Sequence, residues 1–149
     1  MSASEAVLIV HAASTLMMTG LIWFVQVVHY PLFGRVGGAE FTVYAEQHQR
    51  LTTIVVGPLM LAEAVTASWL VIRPPEGASP VLTTVGLALV ALLWVSTAFM
   101  QVPCHRRLSL GFDARIGRRL VRTNWLRTAA WTARSVIALA LLLPGRAPA

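Results

Sequence analysis

The chain has 149 residues, 56% hydrophobic and 12% charged, with a net charge of +6. A soluble domain carries about 25% charged residues, so this composition, with a mean hydropathy of +0.69, excludes a disordered chain and an ordinary soluble enzyme. The single cysteine, Cys104, excludes an intrachain disulfide. What remains is a small integral membrane protein in contact with the lipid bilayer.

Every basic side chain is Arg. No segment is long enough to be a soluble basic domain. The charge is therefore read as helix anchoring and topology, with no nucleic-acid partner.

Gaps between charges place four spans, each near the roughly 20 residues a bilayer core requires. Ala6–Val28 is the first. It lacks a basic leader and is long for a signal-peptide core, so it is read as retained. Pro31 and the Gly37–Gly38 pair are expected to break the chain after it. Glu40–Arg50 reads as an amphipathic helix that extends the second span or lies at the interface. Leu51–Ile72 is the second span, interrupted only by the charge of Glu63. Pro58 within it cannot donate to the Ile54 carbonyl, which predicts a kink. Arg73-Pro74-Pro75-Glu76-Gly77 is a tight turn, and Val81–Val102 is the third span. The link from Pro103 to Gly117 leads to the fourth, Thr123–Leu143, apolar except for Arg127 and Arg134.

No window alternates as a strand would. Short links make successive helices antiparallel neighbours. The expected fold is a single-domain, all-α, antiparallel four-helix membrane bundle, its second helix extended at the cytoplasmic interface.

One end of this bundle carries Arg35, Arg50, Arg106, Arg107, Arg115, Arg118, Arg119 and Arg122; the other carries Arg73 and Arg146. Arginine-rich ends face the cytoplasm. The chain is thus placed in a cell inner membrane as a multi-pass protein, with both termini outside the cytoplasm.

His29, His48 and His105 fall at the arginine-rich end, on three different spans. Together they could bind a metal, because neutral imidazole suits Zn, Cu and Fe, with Glu46 or Gln101 completing the shell. No spacing puts two ligands on one helix turn. The rival reading is wet interfacial histidines bonded to backbone or lipid phosphate. His11 lies about 27 Å from His29 at 1.5 Å per residue and cannot share their site.

A lone charge in mid-membrane costs at least about 2.5 kcal/mol. Glu63 and Arg134 lie near the middles of their spans, and each offsets the other if they meet, as a bidentate pair. Such a pair either fixes helix register or borders a polar pocket. Asn124, Arg127, Trp131 and Arg134 share one face of the fourth span. That stripe must face protein or water. The third span offers Trp94, Thr97 and Gln101; the first offers His11, Thr15, Met18, Ile22 and His29, with Gln26 beside them.

Several motifs give the chain a familiar layout. They are Phe41…His48-Gln49, Gly57-Pro58-Leu59-Met60, Val102-Pro103-Cys104-His105-Arg106-Arg107-Leu108 and Asn124-Trp125…Arg127…Trp131…Arg134. From about Phe41 to the end of the fourth span, the chain resembles the anthrone oxygenase-like family of small membrane proteins. That family usually has Asn where His105 stands, and a histidine in its last helix that this chain lacks. The resemblance implies a four-helix membrane fold and a polar site near the cytoplasmic side. It directs attention to His48, His105, Asn124, Arg127 and Arg134.

The expected function is a membrane-embedded, oxidoreductase- or monooxygenase-like enzyme acting on a hydrophobic small molecule. His48 and His105 would serve as acid–base groups or metal ligands. Arg127 and Arg134 would stabilise an oxyanion, with Glu63 balancing Arg134. The alternatives are a non-catalytic metal, haem or lipid binding or transport component, which would require a homo-oligomer, and a structural subunit.

Overall fold

The computed structural model describes residues 2–143 and contains four long helices. α1 runs over Ala3–Arg35, α2 over Gly38–Ile72 and α3 over Pro80–Leu108; α4 is Ala114–Leu142. Helices α1, α2 and α3 are long and apolar enough to cross a membrane; α4, with its arginines, does not reach that standard among the described residues. The fourth span is expected from its apolar residues alone. Arg127 and Arg134 are held inside the bundle instead, and Val136 and Leu139 remain on the outside. Arg146 lies outside the described residues.

The chain alternates direction. The end of α1 meets the start of α2, the end of α3 and the start of α4, through His29–His48, Tyr30–His105 and Gln26–Asn124. At the opposite end His11 of α1 reaches Thr66 of α2, and Gly86 of α3 reaches Arg134 of α4. This is an antiparallel bundle in which α1 and α3 each pack against both α2 and α4.

Its polarity is inverted relative to a soluble protein. Buried positions include His11, Gln26, Glu63, Gln101, Asn124, Arg127 and Arg134, while Ile54, Val65, Phe99 and Val136 are exposed. Lipid accepts an apolar exterior at no cost, and costly polar groups retreat to protein partners.

Helix ends follow local chemistry. Ser2 and Glu5 form a reciprocal capping box at the start of α1, satisfying backbone N–H groups that lack a helical acceptor. Asp113 caps α4 by accepting from the N–H groups of Arg115 and Ile116. Gly77, at φ 72°, occupies the left-handed conformation that the α2–α3 turn demands.

All four helices run further than the charge gaps imply, α4 beginning at Ala114 rather than Thr123. α1 continues through Pro31, which does not break it. A π-turn over Val25–His29 lets the Tyr30 N–H reach the Val25 carbonyl, and a short 3-10 turn then closes at Arg35. α3 repeats the device. Its π-turn over Thr97–Gln101 carries the helix past Pro103, with the Val102 N–H on the Thr97 carbonyl. In each case the wider turn precedes a proline that cannot donate. The link to α4 shrinks to residues 109–113. α2 absorbs Glu40–Arg50 and runs through Pro58 as one helix of 35 residues. At 1.5 Å per residue it spans about 52 Å, well beyond a hydrocarbon core of about 30 Å.

Candidate functional site

A cavity of about 440 Å³ lies between the helices at the histidine end. Its apolar wall includes Met18, Ile22, Val56, Met60 and Trp94; its polar wall includes Tyr30, His48, Gln49, Thr52, Gln101, His105 and Arg127. Gly57 opens the α2 wall, where a Cβ would meet nothing within 4 Å. An apolar chamber with a few convergent polar groups is the usual form of a small-molecule site.

The histidines meet in a row. His29 Nε2 and His48 Nδ1 are 2.9 Å apart, and Thr52 Oγ1 is 3.2 Å from the same His48 nitrogen. The His48 and His105 rings lie 5.3 Å apart between centroids. Tyr30 Oη is 3.0 Å from His105 Nε2. Phe33 stands edge-on to His29 and His48, at 5.1 and 5.2 Å, and fixes their planes. Beneath His105, the Gln49 amide donates to the His105 and Ala45 carbonyls and to Ser109 Oγ. The ring is therefore carried on backbone tied to α2.

This row departs from the expected three-histidine metal set. Two of the imidazole nitrogens are directed at each other, so they do not converge on a common point. Among the described residues, no group of three or more His, Cys, Asp or Glu is arranged to hold a metal ion. Glu46, offered as a further ligand, is exposed on an outer groove beside Arg106 and Arg107.

The second polar group is a directed chain. The Val121 carbonyl can only accept, so Gln26 must present its Nε2 to it, at 3.2 Å. Gln26 Oε1 then accepts from Asn124 Nδ2 at 2.9 Å, and Asn124 Oδ1 accepts from Arg127 Nη1 at 2.9 Å. A carbonyl at one end and a guanidinium at the other leave only one orientation for both amides. The Arg127 guanidinium also lies 4.9 Å over the Trp131 ring.

Glu63 and Arg134 meet, but outside the cavity, which neither of them lines. Nε and Nη2 of Arg134 both converge on Glu63 Oε1, at 3.2 and 3.1 Å, so the pair is not the expected parallel fork. Trp131 Nε1 takes Glu63 Oε2 at 2.9 Å. The remaining Arg134 donors reach the Gly86 carbonyl at 2.6 Å and Thr15 Oγ1 at 3.3 Å. This knot draws on all four helices, and its groups are fully desolvated and mutually satisfied. It ties the four helices together at one level.

Of the expected site residues, His29, His48, His105 and Arg127 come together, whereas Glu63 and Arg134 form their own unit. His11 stays apart, bonded to Thr66 at 2.9 Å. Cys104 is buried in an apolar cluster with Phe33, Phe41 and Leu108. Tyr30 and Thr52 were not singled out by sequence, and Gln49 stood there only as part of the His48-Gln49 motif. The one available signal was the adjacency of Tyr30 to His29 and Gln49 to His48.

No family model, curated protein or solved structure matches the chain.

Proposed function

We propose that the chain is an integral inner-membrane enzyme of oxidoreductase or monooxygenase type, its arginine-rich end towards the cytoplasm. Its substrate is a hydrophobic small molecule that enters the cavity from the bilayer and carries an activated C–H group beside a carbonyl. The observation that supports this is the placement of two neutral-capable bases, His48 and His105, on the polar wall of an otherwise apolar chamber that also presents the Arg127 guanidinium.

A histidine takes a proton from the activated carbon, and Arg127 stabilises the enolate oxygen that results. Tyr30, bonded to His105, positions that ring and shares its proton. The enolate is electron-rich and is oxidised by dioxygen, the co-substrate on this reading. A methylene becomes a carbonyl, one dioxygen is consumed and one water is released, so atoms and electrons balance. The His29–His48 bond supports the same role for His48, because each tautomer of the pair leaves one outer ring nitrogen basic and the other protonated.

Deuterium exchange at the methylene of anthrone tests the proton-transfer step directly. Protein in lipid nanodiscs is expected to speed exchange about 100-fold or more over empty discs, the usual size of general-base catalysis. His105→Gln should remove most of that gain. Exchange at the rate of empty discs in the wild-type protein overturns the proposal.

A further inference from the structure

The bundle interior does not balance its charge. Its buried charged side chains are Glu63, Arg127 and Arg134, and the carboxylate is committed to Arg134. Arg127 is 6% exposed and makes no ion pair among the described residues. Its neighbours are neutral: the Asn124 amide, the Trp131 ring and the Tyr30 hydroxyl. Its Nε–H is buried without an acceptor. An isolated cation in a membrane interior is expensive, and natural proteins supply it with a counter-charge.

A second orphan lies on the same cavity wall. Gln101 is 2% exposed, and its Oε1 has no donor. The orientation of this amide is settled by chemistry. Thr123 Oγ1 gives its proton to the Arg119 carbonyl at 2.9 Å, so towards Gln101 it can only accept. Gln101 must therefore turn Nε2 to Thr123, at 3.1 Å, and leave Oε1 free. Thr123 and Arg127 are one turn apart on α4. Arg127 and Gln101 thus line one chamber, with the free donor and the free acceptor sealed in its wall.

We infer that the cavity binds an amphipathic organic monoanion, whose anionic oxygen pairs with the Arg127 guanidinium and whose neighbouring hydroxyl meets the Gln101 amide, small rotations of the two side chains turning Nε–H and Oε1 towards it. The apolar wall of Met18, Ile22, Met60 and Trp94 takes its hydrocarbon body. This ligand supplies the missing negative charge and satisfies both orphans at once. Gln101 becomes a specificity residue, because a ligand without the hydroxyl leaves its oxygen unpaired. The inference rests on the same cavity as the enzymatic proposal and names the class of molecule it takes.

The test is titration calorimetry with the full chain in phosphatidylcholine nanodiscs, corrected for empty discs. The probes are 1-hydroxy-2-naphthoate, its methyl ester, 2-naphthoate and decanoate. The hydroxynaphthoate is expected to bind at least tenfold more tightly than its ester and than 2-naphthoate. Gln101→Leu should erase the advantage over 2-naphthoate while keeping the advantage over the ester. Arg127→Gln should erase the advantage over the ester. Decanoate binding weaker than the hydroxynaphthoate supports an aromatic hydroxy acid; equal or tighter decanoate binding overturns the hydroxyl requirement and points to a fatty acid. Equal binding of acid and ester by the wild-type protein overturns the inference, as does no binding of any probe, which would leave water as the partner of both orphans. Neither wild-type result depends on a variant folding. Anion binding without methylene exchange would leave this inference standing and remove the enzymatic proposal; exchange without anion preference would do the reverse.

Discussion

Arg127 and Arg134 stand two turns apart on one face of α4, both buried, yet only Arg134 faces a carboxylate. The difference divides the bundle interior into two polar levels. At one, Glu63 and Arg134 neutralise each other and tie the helices together. At the other, Arg127 is held by neutral partners and borders a cavity.

The first level predicts an asymmetric response to mutation. Glu63→Ala should destabilise the bundle by about 3–5 kcal/mol, because it strands a buried guanidinium. Replacing Glu63 and Arg134 together by Met should cost far less, since both charges leave at once. Denaturant unfolding in detergent micelles measures both. Equal losses in the single and double variants would show that the charges do not act as a pair.

The directed chain from Val121 to Arg127 predicts a loss that spreads. Gln26→Leu leaves Asn124 Nδ2 without its acceptor, while the Val121 carbonyl keeps its helical bond. An orphaned buried group costs about 1–3 kcal/mol. Thermal unfolding should register a loss in that range or above it, while Gln26→Glu should be harsher at neutral pH, because its second oxygen faces a carbonyl. A neutral Gln26→Leu would mean that the chain contributes nothing.

The Asp113 cap predicts a pH dependence at the start of α4. The N–H groups of Ile116 and Arg115 hold the Asp113 carboxyl below its ordinary range. A native value lower than the unfolded one stabilises fully above the unfolded value, near pH 4, and the gain is lost as pH falls through the native value. Protection of the Arg115 and Ile116 amides against hydrogen exchange, taken relative to the intrinsic rate at each pH, should therefore fall below about pH 4. In Asp113→Asn the cap acceptor remains but the titration goes, so that pH step should vanish.

Gly57 predicts a clean way to close the cavity. Gly57 lines the chamber, and a Cβ there meets no neighbour within 4 Å, so a bulky side chain has room to occupy it. Gly57→Phe should fold with an unfolding midpoint at or above that of the parent, since glycine is a poor helix former. It should weaken binding of a cavity ligand at least tenfold, about 1.4 kcal/mol. Unchanged affinity would place the ligand elsewhere.

Much of this layout is legible in the sequence because membranes penalise misplaced polarity so heavily. Charge gaps locate the helices of an all-α bundle, and short links make them antiparallel. The helical spacing of Asn124, Arg127, Trp131 and Arg134 puts them on one inward face, and all four are buried. The same rule misses the ends of α1 and α3. Proline reads as a break, and the π-turns that carry the chain past Pro31 and Pro103 have no local signature.

The sequence by itself determined which residues must leave the lipid, since a polar group's desolvation cost belongs to that group wherever it sits along a span. Only the tertiary structure decided which partner each one met. Glu63 chose Arg134 and Trp131, His48 chose His29 and Thr52, and Arg127 and Gln101 were left with unspent bonds beside an open chamber. Partner choice depends on how helices distant in sequence rotate and slide against one another, and a hydrogen bond forms or fails over less than an ångström of that movement.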